Sequence, residues 1–152
     1  MVPMTPRAGA RERRTASRPY ALARGAARPS VGTGCGGPTI GGVGSPTLGN
    51  AAFAVRVSNA RPVAPTLMLF SLTPADLPLL PGSCRLLLNA PISQFLVFSN
   101  GSGQATLTVG IPGTPTLVGL DVFFQAAVFH APGGAFADTL DFSDALRLQI
   151  GQ

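Results

Sequence analysis

The sharpest polar–apolar alternation in the chain runs from residue 53 to residue 58. Phe53, Val55 and Val57 occupy one phase, and Ala54, Arg56 and Ser58 the other. A period of two predicts a half-buried β-strand with Arg56 on its wet face. Residues 66–72 (TLMLFSL) are apolar in both phases, the pattern of a central strand covered on both sides. Between them, residues 59–65 read as a turn. Residues 73–82 (TPADLPLLPG) contain three prolines and are expected to form a connection with little ladder bonding. The next predicted strand is 84–89, with Cys84, Leu86 and Leu88 on one face and Arg85 on the other. A further strand follows over 92–98.

Asn100-Gly101 comes next, a residue pair suited to the positive φ angles of a tight turn. Beyond it Ala105, Leu107, Val109 and Ile111 alternate with Gln104, Thr106 and Thr108. The two flanks of this turn are predicted to pair as a hairpin. Residues 117–130 (LVGLDVFFQAAVFH) form the longest strand candidate, apolar on both faces and therefore central. Residues 131–135 (APGGA) are expected to break it. A short strand is predicted near 136–140, and residues 145–150 close the domain with Leu146, Leu148 and Ile150 inside and Arg147 and Gln149 outside. Residues 32–50 are Gly-rich and are read as a lead-in running extended over the domain edge. They are not a phosphate loop, because the Gly-Lys-Ser/Thr ending is missing.

Seven or eight short strands separated by turn signals, with no helical period, predict an all-β fold. The expected architecture is a two-sheet antiparallel β-sandwich with immunoglobulin-like Greek-key connections; a jelly-roll order is the alternative. No apolar run approaches the length of a membrane helix, about 18 residues.

Charge divides the chain in two. Residues 1–33 hold Arg7, Arg11, Arg13, Arg14, Arg18, Arg24 and Arg28 against Glu12 alone, a net +6. Residues 34–152 hold Arg56, Arg61, Arg85 and Arg147 against Asp76, Asp121, Asp138, Asp141 and Asp144, a net −1. The expected division is therefore a disordered Arg-rich tail, 1–33, and a β-sandwich domain, 34–152. The tail has three open readings: a linker from a longer protein or an over-extended start, a polybasic arm, or an organelle-type targeting peptide. Tyr20 is its only aromatic residue, so stacking on single-stranded nucleic acid is poorly supported. A nucleic-acid partner is not expected for the near-neutral domain. The chain has no Lys and is rich in Arg, Ala, Gly and Pro, a composition typical of translated GC-rich DNA.

Cys35 and Cys84 are the only two cysteines. A disulfide between them would pin the Gly-rich lead-in to a strand, closing a loop of about 50 residues and contributing roughly 4 kcal/mol. Two separate buried thiols are the alternative. Cysteines that stay paired imply an oxidising compartment.

The order of markers along the domain also resembles a known family. Gly34-Cys35-Gly36-Gly37 is followed by Gly44-Ser45-Pro46-Thr47-Leu48-Gly49-Asn50. Ala64-Pro65 and Ser71-Leu72 bracket a strand, and Pro81-Gly82-Ser83-Cys84 opens another. Ser102-Gly103-Gln104-Ala105, Ile111-Pro112, a Phe124-Gln125-Ala126 unit and Ser143-Asp144-Ala145-Leu146-Arg147 complete the set. This resembles the C-terminal β-sandwich module appended to large secreted proteins of environmental bacteria, after β-propeller, repeat or hydrolase domains. The resemblance spans nearly all of residues 34–152. Its closing motif usually carries Asn where this chain has Asp144. It implies secretion and a non-catalytic role in attachment, display or sorting, in the context of a longer protein. The partner is unknown; other domains of a longer secreted protein and cell-surface glycans are the candidates.

Candidate chemistry is sparse. His130 is the sole histidine, and no Gly-x-Ser-x-Gly elbow accompanies it, so it reads as a surface or turn residue. Asp138, Asp141 and Asp144 recur every third residue but lack the alternation and terminal Glu of a calcium loop; they read as solvated turn acids and a strand-opening Asp. A lectin-like carbohydrate- or ligand-binding module is the alternative function. It is disfavoured because the domain has no Trp or Tyr and its nine Phe fall mostly at positions that read as core. Asn100-Gly101-Ser102 is formally a glycosylation sequon, better explained by turn geometry. No catalytic residues, metal or cofactor are expected. The expected function is a non-enzymatic accessory module, extracellular or on the cell surface.

Overall fold

A computed structural model describes residues 26–152; residues 1–25 lie outside the described residues. The expectation of a disordered tail falls on residues 1–33, and most of that stretch is therefore outside them too. Ten strands are described: β1 (Ala26–Val31), β2 (Thr39–Val43), β3 (Ala54–Ser58), β4 (Pro65–Ser71), β5 (Pro74–Pro78), β6 (Arg85–Leu88), β7 (Ser93–Phe98), β8 (Ala105–Thr108), β9 (Asp121–Gly134) and β10 (Asp138–Gln149). One sheet has the order β1-β10-β9-β4-β7 and a second the order β2-β3-β8, while β5 and β6 form a separate hairpin. All of these neighbours are antiparallel. The fold is an all-β sandwich.

The core between the sheets follows from the period-two pattern. Phe53, Val55 and Val57 reach inward from the three-stranded sheet. Met68, Val122, Phe124, Ala126, Val128, Leu146 and Leu148 meet them from the five-stranded sheet. Burying such side chains contributes roughly 1.5–3 kcal/mol each. The strands apolar in both phases are the interior strands of the five-stranded sheet. β4 sits between β7 and β9, and residues 122–128 of β9 are all buried. On the outer face, Leu69 and Phe123 pack against Leu88 of the β5–β6 hairpin.

Several boundaries differ from those read along the chain. Strand β1 begins at Ala26, eight residues before the expected domain start at 34, and pairs with β10 from Ala26↔Gln149 to Val31↔Ala145. Its backbone edge hydrogen bonds are invisible to side-chain periodicity, so an Arg/Ala/Pro-rich stretch could not reveal it. The lead-in is also part of a ladder, because β2 pairs residue by residue with β3 from Thr39↔Ser58 to Val43↔Ala54. The Pro-rich 73–82 segment contributes β5, although its ladder with β6 is irregular between Pro74 and Leu77, as expected of an edge strand. In β6, Leu87 and Leu88 are both fully buried and Leu86 is only half-buried, so burial does not alternate as expected.

The predicted hairpin at Asn100 is not one. β7 pairs with β4 in the five-stranded sheet, whereas β8 pairs with β3 in the other. The Asn100 Oδ1 accepts the N–H groups of Ser102 and Gln104. The side chain thus organises a turn that passes between sheets. The same turn residues serve either connection, so the sequence signal was real and its pairing partner was wrong.

The long strand is shifted as well. Pro115–Leu117 forms a 3-10 turn, and β9 starts at Asp121. The expected break at 131–135 is instead the end of β9, which runs to Gly134 and returns through β10. The short 136–140 strand and the closing strand are largely one element, β10, bulged between Phe142 and Ala145.

Candidate functional site

The sandwich works outward from one tied corner. Cys35 and Cys84 form a disulfide with Cα atoms 5.0 Å apart, so the paired alternative holds and separate thiols do not. Cys35 also exchanges backbone hydrogen bonds with Phe142, at 2.7 and 3.0 Å. The flanking glycines are steric requirements: a Cβ on Gly34 would lie 2.1 Å from the Phe142 carbonyl oxygen, and one on Gly36 would lie 2.0 Å from Asp141 Oδ1. The lead-in thereby lies flat on β10 while its cysteine ties it to the start of β6.

The three acids that recur every third residue do not share a site. Asp138 Oδ1 accepts the Gly133 N–H at 2.9 Å, and Asp141 Oδ1 accepts the Ala135 N–H at 2.9 Å. Asp144 Oδ1 accepts the Ile40 N–H at 3.0 Å, linking β10 to β2. Among the described residues no three His, Cys, Asp or Glu side chains are grouped to hold a metal. The expectation of solvated turn acids fits Asp138, which is exposed, but not Asp141, which is buried. The second oxygen of Asp141 lies 2.6 Å from His130 Nδ1, and the imidazole is about one-third exposed. This pair closes the end of the β9–β10 hairpin. Asp144 is half-buried, and burial holds its carboxyl above the ordinary Asp value, opposed by the Ile40 N–H.

Gln125 is the polar residue that sequence reading used only as a family marker. It is fully buried in the middle of β9. Its Oε1 accepts the Leu87 N–H at 2.9 Å, and its Nε2 donates to the carbonyls of Arg85 and Ser143 at 2.9 and 3.0 Å. One side chain therefore fastens the β5–β6 hairpin to the outer face of the five-stranded sheet. A Gln inside an otherwise apolar run was the available signal.

That hairpin covers only part of the outer face. Beyond it lies an apolar groove lined by Pro65, Leu67, Leu96, Ala127, Phe129 and Leu140. Register explains the row. Pro65 pairs with Phe98, and Leu67 pairs with both Leu96 and Ala127. Phe98 is 64% exposed, Leu96 62% and Phe129 44%. The expectation that the phenylalanines are mostly core thus fails for these two and for Phe95, which is also exposed at the sheet edge. Strand β7 (SQFLVF) carries no charge, although charged residues are the usual protection of a sheet edge. At the end of the groove, Arg61 Nη1 donates to the Ala131 carbonyl at 3.0 Å. The arrangement offers a flat apolar surface with aromatic rings, and no cluster of acids, bases or nucleophiles.

No family model matches the chain, and no curated protein or solved structure matches it.

Proposed function

We propose that this protein is a non-enzymatic extracellular accessory module, serving adhesion, display or sorting of a larger secreted protein, and that it docks through the uncovered half of its outer sheet face. The observation that carries this reading is the contiguous exposure of Leu96, Phe98 and Phe129 on adjoining rows of a rigid sheet. Exposed apolar patches on otherwise well-packed domains mark interaction sites. The disulfide is compatible with an oxidising, extracellular setting. The resemblance to C-terminal modules of secreted bacterial proteins supports the same role, with a component of the cell surface as the partner.

One observation favours the second reading, a lectin-like module. Phe98 and Phe129 present open ring surface of the kind that stacks on sugars. A glycan array probed with the oxidised full chain separates the two. Docking to protein gives no saturable glycan signal. Saturable binding that disappears in both Phe98→Ala and Phe129→Ala would establish the carbohydrate reading and overturn the first.

A further inference from the structure

A second apolar feature lies elsewhere, between the two sheets at the end where β9 starts and β10 finishes. It is a pocket of about 200 Å³. Phe53, Phe124 and Leu148 form its buried floor, while Leu72, Leu120 and Pro112 stand at an open mouth, with Leu72 45% and Leu120 37% exposed. Every lining residue is apolar, glycine or proline.

We infer that this pocket binds the end of an alkyl chain, the tail of an amphiphile whose polar head stays in solvent. Native cores hold few voids larger than a water molecule. Water needs two to four polar partners to be held in a cavity, and an engineered cavity of about 150 Å³ lined by Leu, Ile and Phe stays dry and takes benzene. The pocket here is open at its mouth, unlike that closed cavity, but as apolar in its lining, so it offers water no partner and a sugar hydroxyl none either. A compact ring on the floor would leave the mouth walls bare. A chain touches floor and mouth in succession and needs no polar contact inside. This site is distinct from the outer groove, and its test is independent of the docking reading.

The test is titration of the oxidised full chain with glucose and with hexyl, heptyl and octyl glucosides as monomers, followed by calorimetry and by backbone amide shifts. Glucose is expected to give no response. Each added methylene is expected to tighten binding by about fourfold until the pocket is full, with shifts centred on Phe53, Val109 and Phe124. Val109→Phe, which places a ring in the pocket, is expected to abolish binding while leaving amide shifts elsewhere unchanged. Affinity independent of chain length, or shifts centred on Pro65 and Phe129, would overturn the inference. So would no binding at all, as when Leu72 and Leu120 close over the floor. If Val109→Phe fails to fold, the chain-length series still decides. Phosphatidylcholine vesicles identify the source of the chain: co-sedimentation abolished by Val109→Phe assigns a membrane lipid, and glucoside binding without co-sedimentation assigns a free amphiphile.

Discussion

Gln125 and Asp144 show how two polar residues serve an apolar sandwich in opposite ways. Gln125 satisfies three backbone groups that would otherwise be buried without partners. Gln125→Leu keeps the volume but strands the Leu87 N–H and the Arg85 and Ser143 carbonyls. It is expected to cost about 3 kcal/mol, measured as a lower midpoint in urea unfolding; a loss below about 0.5 kcal/mol would mean the hairpin holds without it. Asp144 makes a useful bond as an ion at a cost. Its folded form holds a proton more tightly than the unfolded chain does. The contribution to stability is therefore greatest below the ordinary Asp value, about 3.9, and declines as pH rises through the raised folded value. Asp144→Asn keeps an oxygen for the Ile40 N–H without the charge. The stability difference, variant minus wild type, is expected to grow as pH rises from 3 to 7; a difference that shrinks would contradict the role of burial.

At the scale of elements, the Cys35 corner of the lead-in and the β5–β6 hairpin are joined by the disulfide and by the small cluster of Cys35, Cys84, Ala127 and Phe142. The β2–β3 ladder holds the rest of the lead-in, while Gln125 and the Leu69, Leu88 and Phe123 packing hold the hairpin. Cys35→Ser with Cys84→Ser is expected to lower stability by about 4 kcal/mol, the loop-closure value for a separation of 49 residues. Differential scanning calorimetry reads this directly, and an unchanged transition would show that packing alone holds the lead-in. The inward faces of β3, β4, β9 and β10 were legible in the sequence because side-chain alternation reports burial. Three of the edge strands, β1, β2 and β5, were not. β1 and β2 are held by backbone ladders that leave little imprint on side-chain type, and β5 hides behind prolines that usually deny a strand. The Asn100 turn was recognised, but a turn signal does not say which sheet receives the next strand. The disulfide was legible because only two cysteines exist. The outer groove was not, since Leu96, Phe98 and Phe129 carry the same apolar signature as core residues. Only the register of β7 and β9 on β4, together with the limited reach of the hairpin, exposes them.

The whole chain carries a net charge of +5, yet residues 34–152 carry only −1, and the sandwich they build has one outer face half covered. Its five-stranded sheet is apolar on both sides, a pattern normally found where both sides are packed. The β5–β6 hairpin meets that requirement for one half, and a docked partner would meet it for the other. The most direct measurement is retention on the producing cell of a secreted reporter fused to the full chain. Wild type, Leu96→Lys/Phe98→Lys and the control Leu80→Lys, an exposed apolar position outside the groove lining, are compared. Retention by wild type and by Leu80→Lys, with release of the double variant into the medium, is the expected result. Equal release of all three, or equal retention of all three, would contradict docking through this face.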